Sequence, residues 1–343
     1  MALDAEPGTP FVQALRRAWD AGHAVLPVDP RLPPPARSAV LADLRAGDDV
    51  DEGDALVIAT SGTTGDPKGV VLTHAAVAAH ARAASARLAV DPAADRWLAC
   101  LPLAHVGGLG VVTRAILTAT PLTFDAAAPA TLVAVVPTQL HRVDPGRFRA
   151  VLVGGGADWR ARPAHVVHTY GMTETGGGVV YDGAPLDGVE VTEDGDGQLL
   201  VRGPTLLRAY RDGSSPVDGD GWLATGDAGT VVGTTVTVHG RLGDRIVTGG
   251  EKVWPSQVEP RLRSHPAVAD ALVIGRADPE WGQRVVAVVV PADPSFPPSL
   301  DALRGWVKER LPPWCAPRSL ELVAALDHTT TGKLRRPPVR PQE

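Results

Sequence analysis

Apolar positions along the chain change their period several times, and each change predicts an element. Phe11, Leu15 and Trp19 recur at four-residue spacing, which predicts a short amphipathic helix. "HAVLPVDP" reads as a strand stopped by proline, and the apolar runs "ALVIAT" and "GVVLT" read as two more strands. Thr73 stands where a hydroxyl can cap the alanine-rich helix predicted from His74 to Leu88. Further on, "RWLACLPLAH", "VAVVPT", "FRAVLVGGG" and "AHVVHTYG" are apolar strands alternating with helical or glycine-rich segments. That alternation predicts an α/β domain with a largely parallel sheet covered on both faces.

From Val179 the texture changes to short strands broken by Gly, Asp and Thr, as in "GVEVTEDGDGQLLVRG" and "GTVVGTTVTVHG". These predict a small antiparallel, barrel-like region, with "YRDGSSPVDGDGW" a loop by composition. After "GRLGDRIVTGGEKVWP" comes a helix through Val258 and Leu262, strands in "ADALVIG" and "QRVVAVVV", and a helix from Ser299 with Leu300, Leu303, Val307 and Leu311 on one side. This reads as a separate small α+β unit. The boundary falls near Gly243, giving an N-terminal domain over 1–243 and a C-terminal domain over 244–343. No internal repeat is visible.

Composition narrows the classes. A chain of 343 residues with 44% hydrophobic and 21% charged content fits two domains with real cores. The net charge of -6, with no basic run beyond Arg335-Arg336, leaves no electrostatic footprint for nucleic acid. Cys100 and Cys315 are too few and too far apart for a disulfide framework or a zinc site. The start "MALDAEPGTPFVQALRRAW" lacks a signal-peptide pattern, and no apolar stretch approaches the ~20 residues of a spanning helix, so a cytoplasmic protein is expected. Of 33 basic residues only Lys68, Lys252, Lys308 and Lys333 are lysines, which makes a lysine in a special setting informative.

Five segments offer chemistry. In "ATSGTTGDPKGVVLTH", residues 59–74, the Walker spacing is absent. Thr60, Ser61, Thr63 and Thr64 nevertheless supply hydroxyls, Gly62, Gly65 and Gly69 admit close backbone approach, Pro67 stiffens the turn and Lys68 adds charge. Successive amides there form an anion-binding concavity, so the loop is read as a phosphate cradle rather than a linker. In "HTYGMTETGGG", residues 168–178, Glu174 suits magnesium, Thr173 suits a phosphate oxygen and Tyr170 offers a flat face for a base; an ordinary polar loop is the alternative. "VLVGGGA", residues 151–157, ends a strand in glycines that can also simply turn the chain. Asp227 in "GWLATGDAG" suits ribose hydroxyls or a structural turn. Lys333 in "TTTGKLRR" would, taken singly, be a surface lysine.

In this order the five segments resemble one family, the adenylate-forming enzymes: acyl-CoA and aryl-CoA ligases, luciferases and peptide-synthetase adenylation domains. "TSGTTGDPKG", "YGMTE", "TGD", "GRLGDRI" and the final "GK" carry the resemblance, which spans nearly the whole chain. It implies that Thr60, Ser61, Gly62, Thr63, Thr64, Gly65 and Lys68 wrap the β- and γ-phosphates of ATP. It further implies Gly155, Gly156 and Ala157 with Tyr170 around adenine, Thr173 at the α-phosphate, Glu174 on magnesium, and Asp227 and Arg241 on the ribose. Lys333 is similar to the lysine that reaches the α-phosphate and the attacking carboxylate. A second half-reaction follows rotation of a mobile C-terminal domain, with Gly249, Gly250 and Lys252 of "TGGEKVW" lining the path of the CoA thiol. Two departures stand out: Gly243 where the family's hinge residue is acidic or polar, and Asp327 where a proline usually precedes the final lysine motif.

The phosphate loop begins near residue 60, earlier than in typical members, so the N-terminal domain is read as shortened at its start. Short members resemble the o-succinylbenzoate–CoA ligases of menaquinone biosynthesis, and "LPLAHVGGLGVVTR", "VVPTQLHRV" and "GGGVVYDGAPLDGV" fit that subgroup. Such a diacid must be held by one carboxylate while the other reacts. His105 is placed by the reacting group, Gly176 and Gly177 form a close wall for a flat ring, and Arg114, charged within an apolar helical stretch, anchors the spectator carboxylate or pairs structurally. The expected partners are ATP, Mg2+, an aromatic carboxylate and CoA, with a homodimer also open and neither nucleic acid nor membrane insertion involved. The alternatives are an enzyme that adenylates another acid or loads a carrier protein, and a non-catalytic nucleotide-binding protein on the same fold.

Overall fold

Strong β-formers in short apolar runs, punctuated by glycine and proline, build two sheet-rich bodies with few helices. The computed structural model describes residues 1–61, 67–140, 143–155 and 163–327. Its largest sheet runs Ala184–Pro185, Gly177–Tyr181, Val166–Met172, Ala150–Val153, Leu132–Val135, Trp97–Leu98, Leu122–Thr123. Pairing is parallel from Val166–Met172 to Leu122–Thr123 and antiparallel at the other end. Alternate residues explain why these strands are continuously apolar. Leu132, Ala134, Ala150 and Leu152 enter the main core, whereas Val133, Val135, Val151 and Val153 enter a second cluster on the opposite face. The helices His74–Arg87 and Val106–Leu117 pack together against this sheet. As the sequence predicts, the Thr73 hydroxyl caps the first of them, accepting from the Ala76 amide at 3.1 Å.

The apolar runs flanking the phosphate loop stand apart from the parallel sheet. Asp54–Ser61 and Pro67–Thr73 form an antiparallel hairpin, joined by the short strand Ala209–Tyr210. A parallel crossover needs roughly a dozen residues, far more than this connection supplies. Glu190–Glu193, Gln198–Arg202, Leu223–Val232 and Thr235–Arg241 form the anticipated antiparallel sheet. The helix Pro34–Asp43 went unpredicted because it buries none of its residues and so leaves no apolar stripe.

Beyond Arg241, strands Ile246–Thr248, Glu251–Val253, Val268–Asp278, Gly282–Pro291 and Ser319–Leu322 make one sheet backed by helices Pro255–Arg263 and Leu300–Lys308. Its core, from Ile246, Val258 and Leu262 to Leu303, Val307 and Cys315, draws on this part of the chain alone. Among the described residues no helix is long and apolar enough to cross a membrane.

Candidate active site

The phosphate hairpin presents Thr60 opposite Lys68, and the Thr60 hydroxyl donates to the Lys68 carbonyl at 3.1 Å. Gly62, Thr63, Thr64 and Gly65, between the strands, lie outside the described residues; Ser61 ends the first strand. Gly69 answers to packing rather than to a ligand: a Cβ there would come 2.9 Å from both Arg211 Cβ and Leu44 Cδ2. Lys68 turns its ammonium over the ring of Tyr210, 4.9 Å from the centroid. The Tyr210 hydroxyl in turn donates to Glu174 Oε1 at 3.1 Å. One phenol therefore joins the two charged groups assigned to phosphate and magnesium.

Tyr210 was not singled out in the sequence, where it opens a stretch read as loop. It pairs with Val70 on the hairpin, and the preceding Arg208 grips the buried Asp54 with two bonds of 2.8 Å. Burial first, then the Glu174 carboxylate, pushes the Tyr210 hydroxyl up to about 12, so it stays a donor.

The strand Val166–Met172 ends in a single 3-10 turn, Thr173–Thr175, which displays Thr173 and Glu174. The buried Thr175 fixes this turn, its hydroxyl accepting from the Met172 amide at 2.9 Å and lying 2.7 Å from the Gly177 carbonyl. Upstream on the same strand, Tyr170 donates to Asp227 Oδ2 at 3.0 Å. Arg241 Nε lies 3.0 Å from Asp227 Oδ1, directly opposite in register. Asp227 is thus a strand residue, correcting the turn position read from composition. Burial, and next the Asp227 charge, holds the Tyr170 hydroxyl well above the ordinary phenol range. Gly155, with φ +84°, follows the parallel neighbour Ala150–Val153, while Gly156 and Ala157 lie outside the described residues.

His105, expected beside the acid, is exposed at the start of the helix Val106–Leu117. Asp29 is near it: Arg31 first, and His105 to a smaller extent, keep that carboxyl below its usual range. Arg114 is 4% exposed in the same helix. Its guanidinium lies over the Trp97 ring, 4.7 Å from the centroid, and donates to the Tyr181 hydroxyl at 3.3 Å. Its Nε meets no hydrogen-bond partner among the described residues. A small cavity between this helix, the helix His74–Arg87 and the hairpin is lined by Ile58, Leu72, His80, Val106, Thr113 and Gly176.

In the C-terminal body Gly249 and Gly250 make a two-residue hairpin turn with φ +59° and +86°, values that favour glycine at both places. The ring of Trp281 closes on Gly249, where a Cβ would fall 2.6 Å from the indole. Lys252 is exposed beside this turn, and Lys333 lies outside the described residues.

Profiles of the AMP-binding enzyme family match residues 46–211, and of the AMP-binding enzyme C-terminal domain residues 257–333. A probable 2-succinylbenzoate–CoA ligase of Mycobacterium tuberculosis is 38% identical over 341 residues, covering 88% of each chain. The chain belongs to the AMP-binding enzyme family. The 2-succinylbenzoate–CoA ligase of Bacillus cytotoxicus is 31% identical over 336 residues, 83% of this chain and 69% of that one. Among solved structures, o-succinylbenzoate CoA synthetase from Bacillus subtilis with its acyl-adenylate intermediate superposes with a TM-score of 0.82 at 25% identity, covering 97% of this chain and 86% of that one.

Adenylate-forming CoA ligases use ATP, Mg2+ and CoA. The donor set of this AMP-binding enzyme fits them. Among the described residues no group of three His, Cys, Asp or Glu side chains is arranged to hold a metal. A lone carboxylate such as Glu174 is what Mg2+ takes when phosphate oxygens and water fill its remaining positions. Asp227, hydrogen-bonded yet bearing a second oxygen beside Arg241, suits vicinal hydroxyls.

Proposed function

We propose that this AMP-binding enzyme is an o-succinylbenzoate–CoA ligase. The observation that carries the reading is its match to 2-succinylbenzoate–CoA ligases along most of its length. The chemistry runs in two halves. A carboxylate oxygen of the acid attacks the α-phosphorus of ATP, the bond to the β-phosphate oxygen breaks, and pyrophosphate leaves from an acyl adenylate. The CoA thiol then attacks the acyl carbon, loses its proton, and expels AMP.

In the first half, negative charge accumulates around phosphorus, and catalysis consists of positioning and neutralising it. Lys68 and the Thr60–Gly65 loop receive the β- and γ-phosphates, Thr173 the α-phosphate, and Lys333 bridges the α-phosphate and the attacking carboxylate. Glu174 is the residue that holds Mg2+, which supplies charge neutralisation on the phosphates. Tyr170, Gly155, Gly156 and Ala157 flank adenine, while Asp227 and Arg241 take the ribose. In the second half, the domain 244–343 rotates about Gly243 relative to 1–243, and Gly249, Gly250 and Lys252 line the thiol's approach.

For the acid, His105 stands by the reacting carboxylate and Gly176 and Gly177 form the ring's wall. Arg114 anchors the spectator carboxylate. A buried guanidinium that keeps an unused Nε and has no carboxylate ion pair among the described residues is suited to an acid brought by the substrate. The variant Arg114→Ala is expected to raise the KM for o-succinylbenzoate by about tenfold or more, with the KM for MgATP unchanged. An unaltered KM for the acid would contradict the anchor. A cytoplasmic location accords with the reading.

A further inference from the structure

His80 belongs to none of the motifs above, yet it sits at the seam between the acid wall and the core. It is 4% exposed on the helix His74–Arg87, and its Nε2 lies 2.9 Å from the Gly178 carbonyl. A carbonyl only accepts, so Nε2 carries the proton and Nδ1 is left as the lone-pair nitrogen of a neutral ring. The fit between ring and wall is close. Gly177, with φ +126°, would place a Cβ 3.1 Å from His80 Nε2 and 3.2 Å from Cε1. At Gly176, with φ +71°, a Cβ would meet the Thr205 carbonyl at 3.2 Å and His80 Cβ at 3.9 Å. The imidazole therefore crowds the space a side chain at Gly177 would take and lies in ordinary contact beside Gly176. The same ring lines the small cavity with Val106, next to His105, and with Thr113, next to Arg114.

We infer that His80 is a positioning residue for the acid substrate: its imidazole holds the course of the Gly176–Gly178 backbone, and with it the wall against which the acid's ring lies. The inference rests on the acid-site reading above and deepens it. The wall's glycine conformations have little intrinsic preference, so a single buried hydrogen bond from a rigid ring is well suited to selecting one of them. Burial, and next the nearby positive charge of Arg114, keep the imidazole neutral across the physiological range.

The test compares His80→Gln, whose amide nitrogen reaches the place of Nε2, with His80→Leu, which fills space without donating. Pyrophosphate release is followed with o-succinylbenzoate and MgATP varied separately, and the His80 ring is observed by 15N NMR in the wild-type protein. His80→Leu is expected to raise the KM for the acid about tenfold while the KM for MgATP stays within about twofold, and His80→Gln to restore the acid KM to within about threefold of wild type. The ring is expected as the Nε2–H tautomer at neutral pH. An acid KM untouched in His80→Leu, equal losses for both substrates without rescue by Gln, or an Nδ1–H neutral ring would each overturn the inference. Wild-type inactivity toward o-succinylbenzoate alone would defeat the substrate assignment instead, and the comparison then uses the carboxylic acid the wild type does activate.

Discussion

At the scale of single residues, Tyr210 and His80 are the two side chains whose importance could not be read off motifs. Tyr210 holds Lys68 on its face and Glu174 on its hydroxyl, so it couples the residues proposed to bind phosphate and metal, which lie far apart in sequence. Tyr210→Phe keeps the ring and deletes the bond; a hydrogen bond to a charged group is worth enough to raise the KM for MgATP by about tenfold. Steady-state kinetics showing an unchanged KM would remove Tyr210 from the site. His80 also sets a pH dependence. Its folded pKa is depressed from 6.5 to about 4, chiefly by burial and then by Arg114. The unfolded chain binds that proton first, so the contribution is complete above pH 6.5 and disappears as pH falls toward 4, by at most about 3 kcal/mol. Denaturant titrations at pH 7 and pH 4.5 are expected to show a smaller loss for His80→Gln than for wild type. Equal losses would mean that His80 titrates normally. A signal for His80 does exist in the sequence. Val77, His80, Ala81 and Ala84 recur at helical spacing and are all buried, so the histidine stands on the inward face. Its partner Gly178 lies too distant along the chain for spacing to indicate.

At the scale of elements, the strongly periodic pieces were legible. The helices Thr9–Asp20 and Leu300–Lys308 and the parallel strands fall where apolar spacing places them. The Ser299 hydroxyl caps the latter helix, accepting from Ala302 at 3.2 Å. What escaped was the third strand of the phosphate hairpin, Ala209–Tyr210. Two residues beside a Gly-, Asp- and Ser-rich run carry no periodicity, and their register comes from tertiary contacts. Asp54 and Arg208 supply one of those contacts, with Asp54 almost wholly buried. Arg208 is exposed and also pairs with Asp51, whereas Asp54 is the buried member, so Arg208→Ala, which leaves the Asp54 carboxylate buried without its guanidinium, is expected to lower unfolding free energy by about 2–4 kcal/mol and to weaken MgATP binding by displacing Tyr210. Chemical denaturation with nucleotide titration checks both. A variant destabilised but binding MgATP normally would separate the hairpin from the site.

At the scale of the whole molecule, the described residues form two bodies with separate cores, the first of which carries Lys68, Tyr170, Glu174 and Asp227. The residues proposed for adenosine and for phosphate meet along a single strand and turn: Tyr170 bonds to Asp227, while Glu174, four positions on, bonds to Tyr210. That convergence was legible only through the order of the motifs, since Asp227 read as a turn residue and Glu174 as one acid in a polar loop. Chemistry that neutralises and positions needs no nucleophilic side chain, which is why individual residues looked unremarkable in isolation. The most direct measurement is pyrophosphate release from MgATP across o-succinylbenzoate, benzoate and medium-chain fatty acids, with and without CoA. Release that depends on o-succinylbenzoate, with AMP and a thioester accumulating once CoA is added, is the predicted result. Preference for a fatty acid or benzoate would contradict it.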